Sequence, residues 1–382
     1  MKSNKLVFAS ACFGILIFGI SLVTLGSVAP SLQQEFKLDK ISSGTLFSIL
    51  PVGILVGSLV FGPFADRFGY KTILILSGLI IFAGFQGIAY SGSLNILKLC
   101  VFLFGVSSGA LNGAANALVS DISEKNKSAN LSLLGVFFAA GALGMPLVLG
   151  TLRSYYNFKQ IVSAVGILPL ASTILFFITK FPEPKQKQNL PFKEIPVLLQ
   201  NEIILLVGFF LFCQSSFEGI INNWTTTFLI QKLSVSESNA LYALSLYVLG
   251  MAVMRIVMGS VLRRTSSDLI VKISFLMLLA GIAILWRSNS YEAAVAGLIL
   301  IGGGLAAGFP VMLGVVGDKF AQLSGTAFSI VLTLALVGNM IVNFFMGVIA
   351  ERYGIEHLTT MAFALTLIMI LLLTLLKRKI RI

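Results

Sequence analysis

Long runs of apolar residues separated by short polar breaks set the pattern of this chain. The runs predict twelve helical spans, at about 6–29, 43–63, 72–90, 95–118, 129–150, 159–179, 203–230, 238–261, 269–286, 292–315, 325–348 and 357–376. The first run follows basic residues, "MKSNKLVFASACFGILIFGISLVTLGSVA", as a signal peptide would. Its apolar stretch of about 23 residues is long enough to cross a hydrocarbon core of about 30 Å. The expectation is therefore a retained first helix rather than a cleaved leader.

Composition narrows the class. The chain is 57% hydrophobic and 11% charged, against about 25% charged residues in a soluble domain. Only a polytopic membrane protein fits both values, which excludes a soluble enzyme or a nucleic-acid binder despite the formal net charge of +12. The basic excess has another origin. With the N-terminus in the cytoplasm, most of the 27 lysines and arginines fall on inside segments. The positive-inside rule then places both termini in the cytoplasm, as for a bacterial inner-membrane protein.

The longest polar break, "KFPEPKQKQNLPFKEIP" at 180–196, is rich in Lys and Pro and cannot bury a core. It divides the chain into an N-terminal six-helix half at 1–179, a cytoplasmic linker at 180–200 and a C-terminal six-helix half at 201–382. A shift of 197 residues aligns the halves. Gly53, Gly62, Arg67, Gly105 and Asp121 fall on Gly250, Gly259, Arg264, Gly302 and Asp318. Ser132, Gly141, Gly150 and Tyr156 fall on Ser329, Gly338, Gly347 and Tyr353. An even number of spans separates the equivalents, so the halves are parallel. Parallel halves place a substrate site at their interface, near the bilayer midplane.

Cys12, Cys100 and Cys213 lie in apolar runs without metal-ligand spacing and read as small packing residues. The single histidine, His357, supports no metal or haem site. No cofactor is expected.

The stretch "GPFADRFGYK" at 62–71 lies between spans 2 and 3. With two six-helix halves around it, the chain resembles the major facilitator superfamily, whose signature in this loop is G-x-x-x-D-R-x-G-R-K/R. Gly62, Asp66, Arg67, Gly69 and Lys71 match it, Tyr70 departs from it, and "GSVLRR" ending at Arg264 is a degenerate second copy. The resemblance implies that these residues govern the conformational change, Asp66 contributing to a latch that favours the outward-open state. The usual arginine partner in span 4 is not evident. Topology fixing is the other role open to this loop.

Three patches are similar to the fucose-permease branch, which moves sugars, often with protons. They are "GALNGAANALVSD" in span 4, "FEGIINNW" in span 7 and "GGGLAAGFPVMLG" in span 10. Members of that branch use carboxylates in spans 1 and 4. Here span 1 has none, and Asn112 stands where the branch often has Glu. An amide takes up no proton near neutrality, although it can bond a hydroxyl.

Polar groups inside a membrane are costly and face a cavity or a partner. Glu218 is the acid well inside a span and Arg255 the base deep in one. Glu218 is the candidate proton-coupling residue, or else a structural carboxylate. Counting about 1.5 Å per residue puts Arg255 more than about 10 Å from Glu218 in depth, so no direct pair is expected. Arg255 is left to snorkel, to brace the inner gate or to hold an anionic group of the substrate. Asn112 and Asn116 in span 4, Gln214 and Trp224 in span 7, and Asn339 and Asn343 in span 11 are candidate substrate contacts, with interhelical bonding open to each asparagine. Asn222 and Asn223 mark a place where span 7 could break.

The expected protein is an all-α membrane protein of twelve transmembrane helices. It acts as a monomeric secondary transporter taking up a small polar solute, a sugar on the resemblance, with protons. Its partners are substrate, proton and lipid, with no nucleic acid. Drug or metabolite efflux is the alternative within the superfamily, and a non-transporting receptor the alternative outside it.

Overall fold

The computed structural model describes residues 2–122, 127–182, 198–260, 267–320 and 324–380. It does not describe the side chains at 2–4, 62–63, 66–67, 120, 127–132, 259–260, 267, 324–326 and 380. Most of the expected linker and Arg264 lie outside the described residues, as do the side chains of Gly62, Asp66 and Arg67. Among the described residues every element is helical. Twelve helices are long and apolar enough to span a membrane: Lys5–Ser27, Lys40–Phe61, Phe68–Tyr90, Leu94–Val119, Leu133–Leu152, Phe158–Ile178, Glu202–Leu233, Glu237–Met258, Asp268–Arg287, Tyr291–Lys319, Ala327–Tyr353 and His357–Lys379. They are spans 1 to 12. In hydrocarbon the backbone must satisfy its own hydrogen bonds, which leaves the helix as the form for each apolar run.

The ends are set by local chemistry. Asn157 accepts from the Gln160 amide at 2.9 Å while Gln160 accepts from the Asn157 amide at 3.1 Å, a reciprocal cap on span 6. Asn201 caps span 7 through the Ile203 amide at 2.9 Å. Spans 2 and 3 meet at Gly69, whose φ of 78° and ψ of 162° suit glycine and strain any L side chain. Span 10 is interrupted. One helix ends at Leu305, the next begins at Gly308, and Ala306 and Ala307 form the turn between them.

The chain forms two compact units. One holds Met1–Leu38 with Ile49–Gln188, and the other holds Asp39–Ser48 with Asn189–Ile382. The first ten residues from Asp39 thus group with the C-terminal helices, a division that differs from a cut at 179. Within that second unit the Lys40 ammonium donates to the Ala350 carbonyl at 2.9 Å, and the Ser48 hydroxyl donates to the Met340 carbonyl at 2.8 Å.

Inside the units the 197-residue repeat is visible as packing. In the first, a Cβ on Gly53 would strike the Phe102 carbonyl, and one on Gly105 the Leu50 carbonyl. In the second, a Cβ on Gly250 would strike the Ile299 carbonyl, and one on Gly302 the Tyr247 carbonyl. Each partner is its counterpart's number plus 197. Spans 2 and 4 therefore pack backbone to backbone in the same register as spans 8 and 10, as small residues allow in lipid.

Candidate functional site

Span 7 carries the polar cluster of the second unit, on two of its faces. On one, Ser215, Gly219 and Asn223 recur every fourth residue, and this stripe meets span 11. The Asn339 amide donates to the Ser215 carbonyl at 2.8 Å, and Gly219 leaves room for the Asn339 carboxamide. The Asn343 amide donates to the Asn339 side-chain oxygen at 2.9 Å, and the Asn223 amide to the Asn343 oxygen at 3.1 Å. Asn343 is fully buried, so the structure uses its carboxamide to tie two helices together. Asn339 keeps a half-buried position at the end of this ladder.

On the other face Gln214 stands one turn before Glu218. The Gln214 amide nitrogen donates to the Glu218 carboxylate at 3.0 Å and to the Leu305 carbonyl at 2.6 Å. Leu305 ends the first helix of span 10, so its carbonyl is among those a helix end leaves without an intrahelical donor. A Cβ on Gly308 would collide with the Gln214 carboxamide. The interruption of span 10 and the glycine beyond it thus seat Gln214, which in turn holds Glu218.

Span 8 supplies two further groups. Tyr247 is fully buried, and its hydroxyl has no hydrogen-bond partner in the protein. The Arg255 Nε is also buried without a protein hydrogen-bond partner. Glu218 lies near the middle of span 7, and Arg255 lies within one turn of the end of span 8. Glu218 is itself half-buried, although Phe217 and Gly219 beside it are buried.

Trp224 is fully buried, with Phe47 edge-on at 5.1 Å between ring centroids and its indole N–H without a protein partner. This packing leaves no exposed ring for a solute to stack upon. Span 7 runs helical through Asn222 and Asn223, and the interruption lies in span 10 instead. In the first unit Asn116 donates to the Asn112 carbonyl at 2.9 Å and side-chain oxygen at 3.0 Å, and both residues stay half-buried. In the loop motif, Lys71 stands over the Phe177 ring at 5.1 Å, and Tyr70 donates to the Asp121 carboxylate at 2.7 Å. Tyr247 and Gly308 were missed by the sequence reading. A signal existed for Tyr247, because the repeat puts Leu50 opposite it, as it puts Ser21 opposite Glu218 and Ser58 opposite Arg255.

Comparison with known proteins gives a consistent result. The family described as Major Facilitator Superfamily matches residues 11–322 and 215–381. An uncharacterized transporter of Sinorhizobium fredii is 24% identical over 342 residues, covering 88% of this chain and 89% of its own. The 4-hydroxybenzoate transporter PcaK of Pseudomonas putida is 30% identical over 170 residues, covering 44% of this chain and 38% of its own. In three dimensions, the crystal structure of a D-xylose-proton symporter has a TM-score of 0.82 at 13% identity, covering 97% of each chain. That last likeness is one of fold.

Proposed function

The chain belongs to the Major Facilitator Superfamily, and from that premise we propose that it imports a small polar solute together with protons, Glu218 being the proton site. It is an integral, multi-pass membrane transporter and not an enzyme. The observation that carries the proposal is the Glu218 carboxylate, which accepts from Gln214 in the middle of span 7 on a half-buried residue. A carboxylate in a membrane interior is costly unless it is paired or can be neutralised. A group that can lose its charge by taking up a proton, in a site facing first one aqueous side and then the other, couples proton flow to solute flow.

Asn112, Asn116, Gln214 and Asn339 are the solute contacts in this reading, since each carboxamide both donates and accepts. Gly69, Lys71 and the rest of the loop motif would govern the conformational change, with both termini in the cytoplasm and the protein in a bacterial inner membrane. The fucose-permease resemblance supports a sugar as the solute. An organic acid is the second reading. Arg255 favours it, as does the partial relative that carries 4-hydroxybenzoate.

A solute screen tests transport itself. Sugars, organic acids and lipophilic drugs are each added to the purified protein. A bound solute raises the melting temperature by mass action, and the same solute should then enter proteoliposomes. Import predicts uptake driven by an inside-alkaline gradient. Stabilisation by lipophilic drugs alone, with expulsion against that gradient, would favour efflux. No flux of any stabilising solute would favour a receptor.

A further inference from the structure

The two helices of span 10 are anchored unequally. In the first, a Cβ on Gly302 would strike the Tyr247 carbonyl of span 8, and one on Gly304 would lie 2.8 Å from the Ser274 carbonyl of span 9. A Cβ on Gly297 would lie 2.9 Å from the Gly281 carbonyl, also of span 9. Every residue from Ile301 to Leu305 is buried. The second helix, Gly308–Lys319, buries Gly308, Met312 and Val316, a stripe along one side. A Cβ on Gly314 in that helix would meet nothing within 4 Å. Between the two, Pro310 has no N–H to offer the Ala306 carbonyl four residues back, which weakens the joint at Ala306 and Ala307. Gln214 touches both sides of this joint. Its amide nitrogen donates to the Leu305 carbonyl at 2.6 Å and to the Glu218 carboxylate at 3.0 Å, and its carboxamide lies against Gly308.

We propose that Gln214 is a positioning residue that links the charge on Glu218 to a hinge at Ala306–Ala307 of span 10. The proposal rests on the reading of Glu218 as the proton site and names what that proton moves. With Glu218 ionised, both acceptors take the amide nitrogen, and a bond to a carboxylate is roughly twice as strong as a neutral one. The carboxamide is then fixed, and it clasps the end of the first helix and the start of the second. A proton on Glu218 turns one carboxylate oxygen into a donor. The carboxamide oxygen of Gln214 is the acceptor beside it. Turning to offer that oxygen sets it against the Leu305 carbonyl, which loses its donor. The clasp opens, and the second helix pivots on the joint while the first stays seated on spans 8 and 9.

Spans 8, 10, 11 and 12 pack against span 7. Midway along them the titratable side chain is Tyr247, and on span 7 itself Cys213 adjoins Gln214. Toward the span ends stand Glu237, Tyr242 and Arg255 of span 8, Tyr291, Glu292, Asp318 and Lys319 of span 10, Glu351, Arg352 and Tyr353 of span 11, and His357, Lys377, Arg378 and Lys379 of span 12. A variant at Glu218 separates its titration from theirs. The test is hydrogen–deuterium exchange of the detergent-purified protein, read by mass spectrometry on fragments of span 10 from about pH 9 to about pH 5. Rates are corrected for the intrinsic pH dependence of amide exchange. In the wild type, exchange at 308–312 should rise roughly 5- to 10-fold as Glu218 is protonated, the effect of losing one net hydrogen bond, while 291–305 stays protected. Glu218→Gln, neutral at every pH, should exchange fast at 308–312 throughout. Gln214→Met, which keeps the length but not the amide, should do the same although Glu218 still titrates. Gly308→Ala displaces the carboxamide without removing it and should reach the fast state by a second route. Size-exclusion profiles confirm that each variant folds.

A pH step at 308–312 that survives both Gln214→Met and Gly308→Ala would overturn the clasp, as would faster exchange spread equally over the two helices. A step that survives in Glu218→Gln but vanishes in Gln214→Met overturns the link to Glu218 and its reading as the proton site, and leaves the clasp standing. A wild type without the step, beside variants that are all fast, keeps the link and removes Glu218 as the proton site. No step and no fast variant would overturn both.

Discussion

Gln214 holds two partners with one amide nitrogen, and the space for it comes from Gly308. Gly308→Ala should push the carboxamide off the Leu305 carbonyl and cost roughly 1–3 kcal/mol, the range for a buried group deprived of its bond. Thermal unfolding in detergent reads this loss, and an unchanged melting temperature would show that Gln214 has another way to sit. At this scale the sequence was partly legible. Glu218 and Arg255 stood out because charge is rare in apolar runs. Tyr247 did not, because an aromatic residue in a membrane span is ordinary and only its contacts reveal that its hydroxyl is orphaned. Asn343 was singled out by its four-residue spacing from Asn339 and Trp224 by its place in "FEGIINNW", and neither pattern tells a helix tie or a core ring from a solute contact.

Helices carry the next level. Span 7 separates two jobs by about 100° of arc: the 215–219–223 stripe zips it to span 11, and Gln214 of the 214–218 pair bonds span 10. The spacing was readable in the sequence, but its targets were not, since they depend on which helices flank span 7. The interruption of span 10 fell where glycine and proline cluster at 302–310, yet the carbonyl it frees acquires meaning only beside Gln214. Helix ends offer a separate test. The Ser42 amide donates to the Asp39 carboxylate at 2.7 Å ahead of span 2. Bonds from Ser42, its side chain first and then its backbone, hold the Asp39 acid below its ordinary value. A lowered folded-state value means a stabilising contribution that is full above the ordinary carboxylate range and fades as pH falls through the folded one. Melting temperature followed from pH 6 down to about pH 3 should fall more steeply for the wild type than for Asp39→Asn, which caps without titrating. Equal slopes would remove Asp39 as a pH-dependent cap.

Across the whole molecule, the twelve spans and the repeat were legible because lipid imposes long apolar helices and close helix packing demands small residues at fixed places. Gly53 against Phe102 and Gly250 against Ile299 are one contact made twice. That symmetry fails at Glu218, Tyr247 and Arg255, whose counterparts are Ser21, Leu50 and Ser58, and the proposed proton site is one of the three. A proton-coupled transporter built this way should separate cleanly into movement and coupling. The direct measurement compares wild-type protein with Glu218→Gln in proteoliposomes loaded with the solute that stabilises the purified protein. Solute counterflow, which needs alternating access alone, should persist in the variant, while accumulation driven by a pH gradient should vanish. Accumulation by Glu218→Gln at the wild-type level, at equal protein content, would contradict the assignment of Glu218 as the proton site.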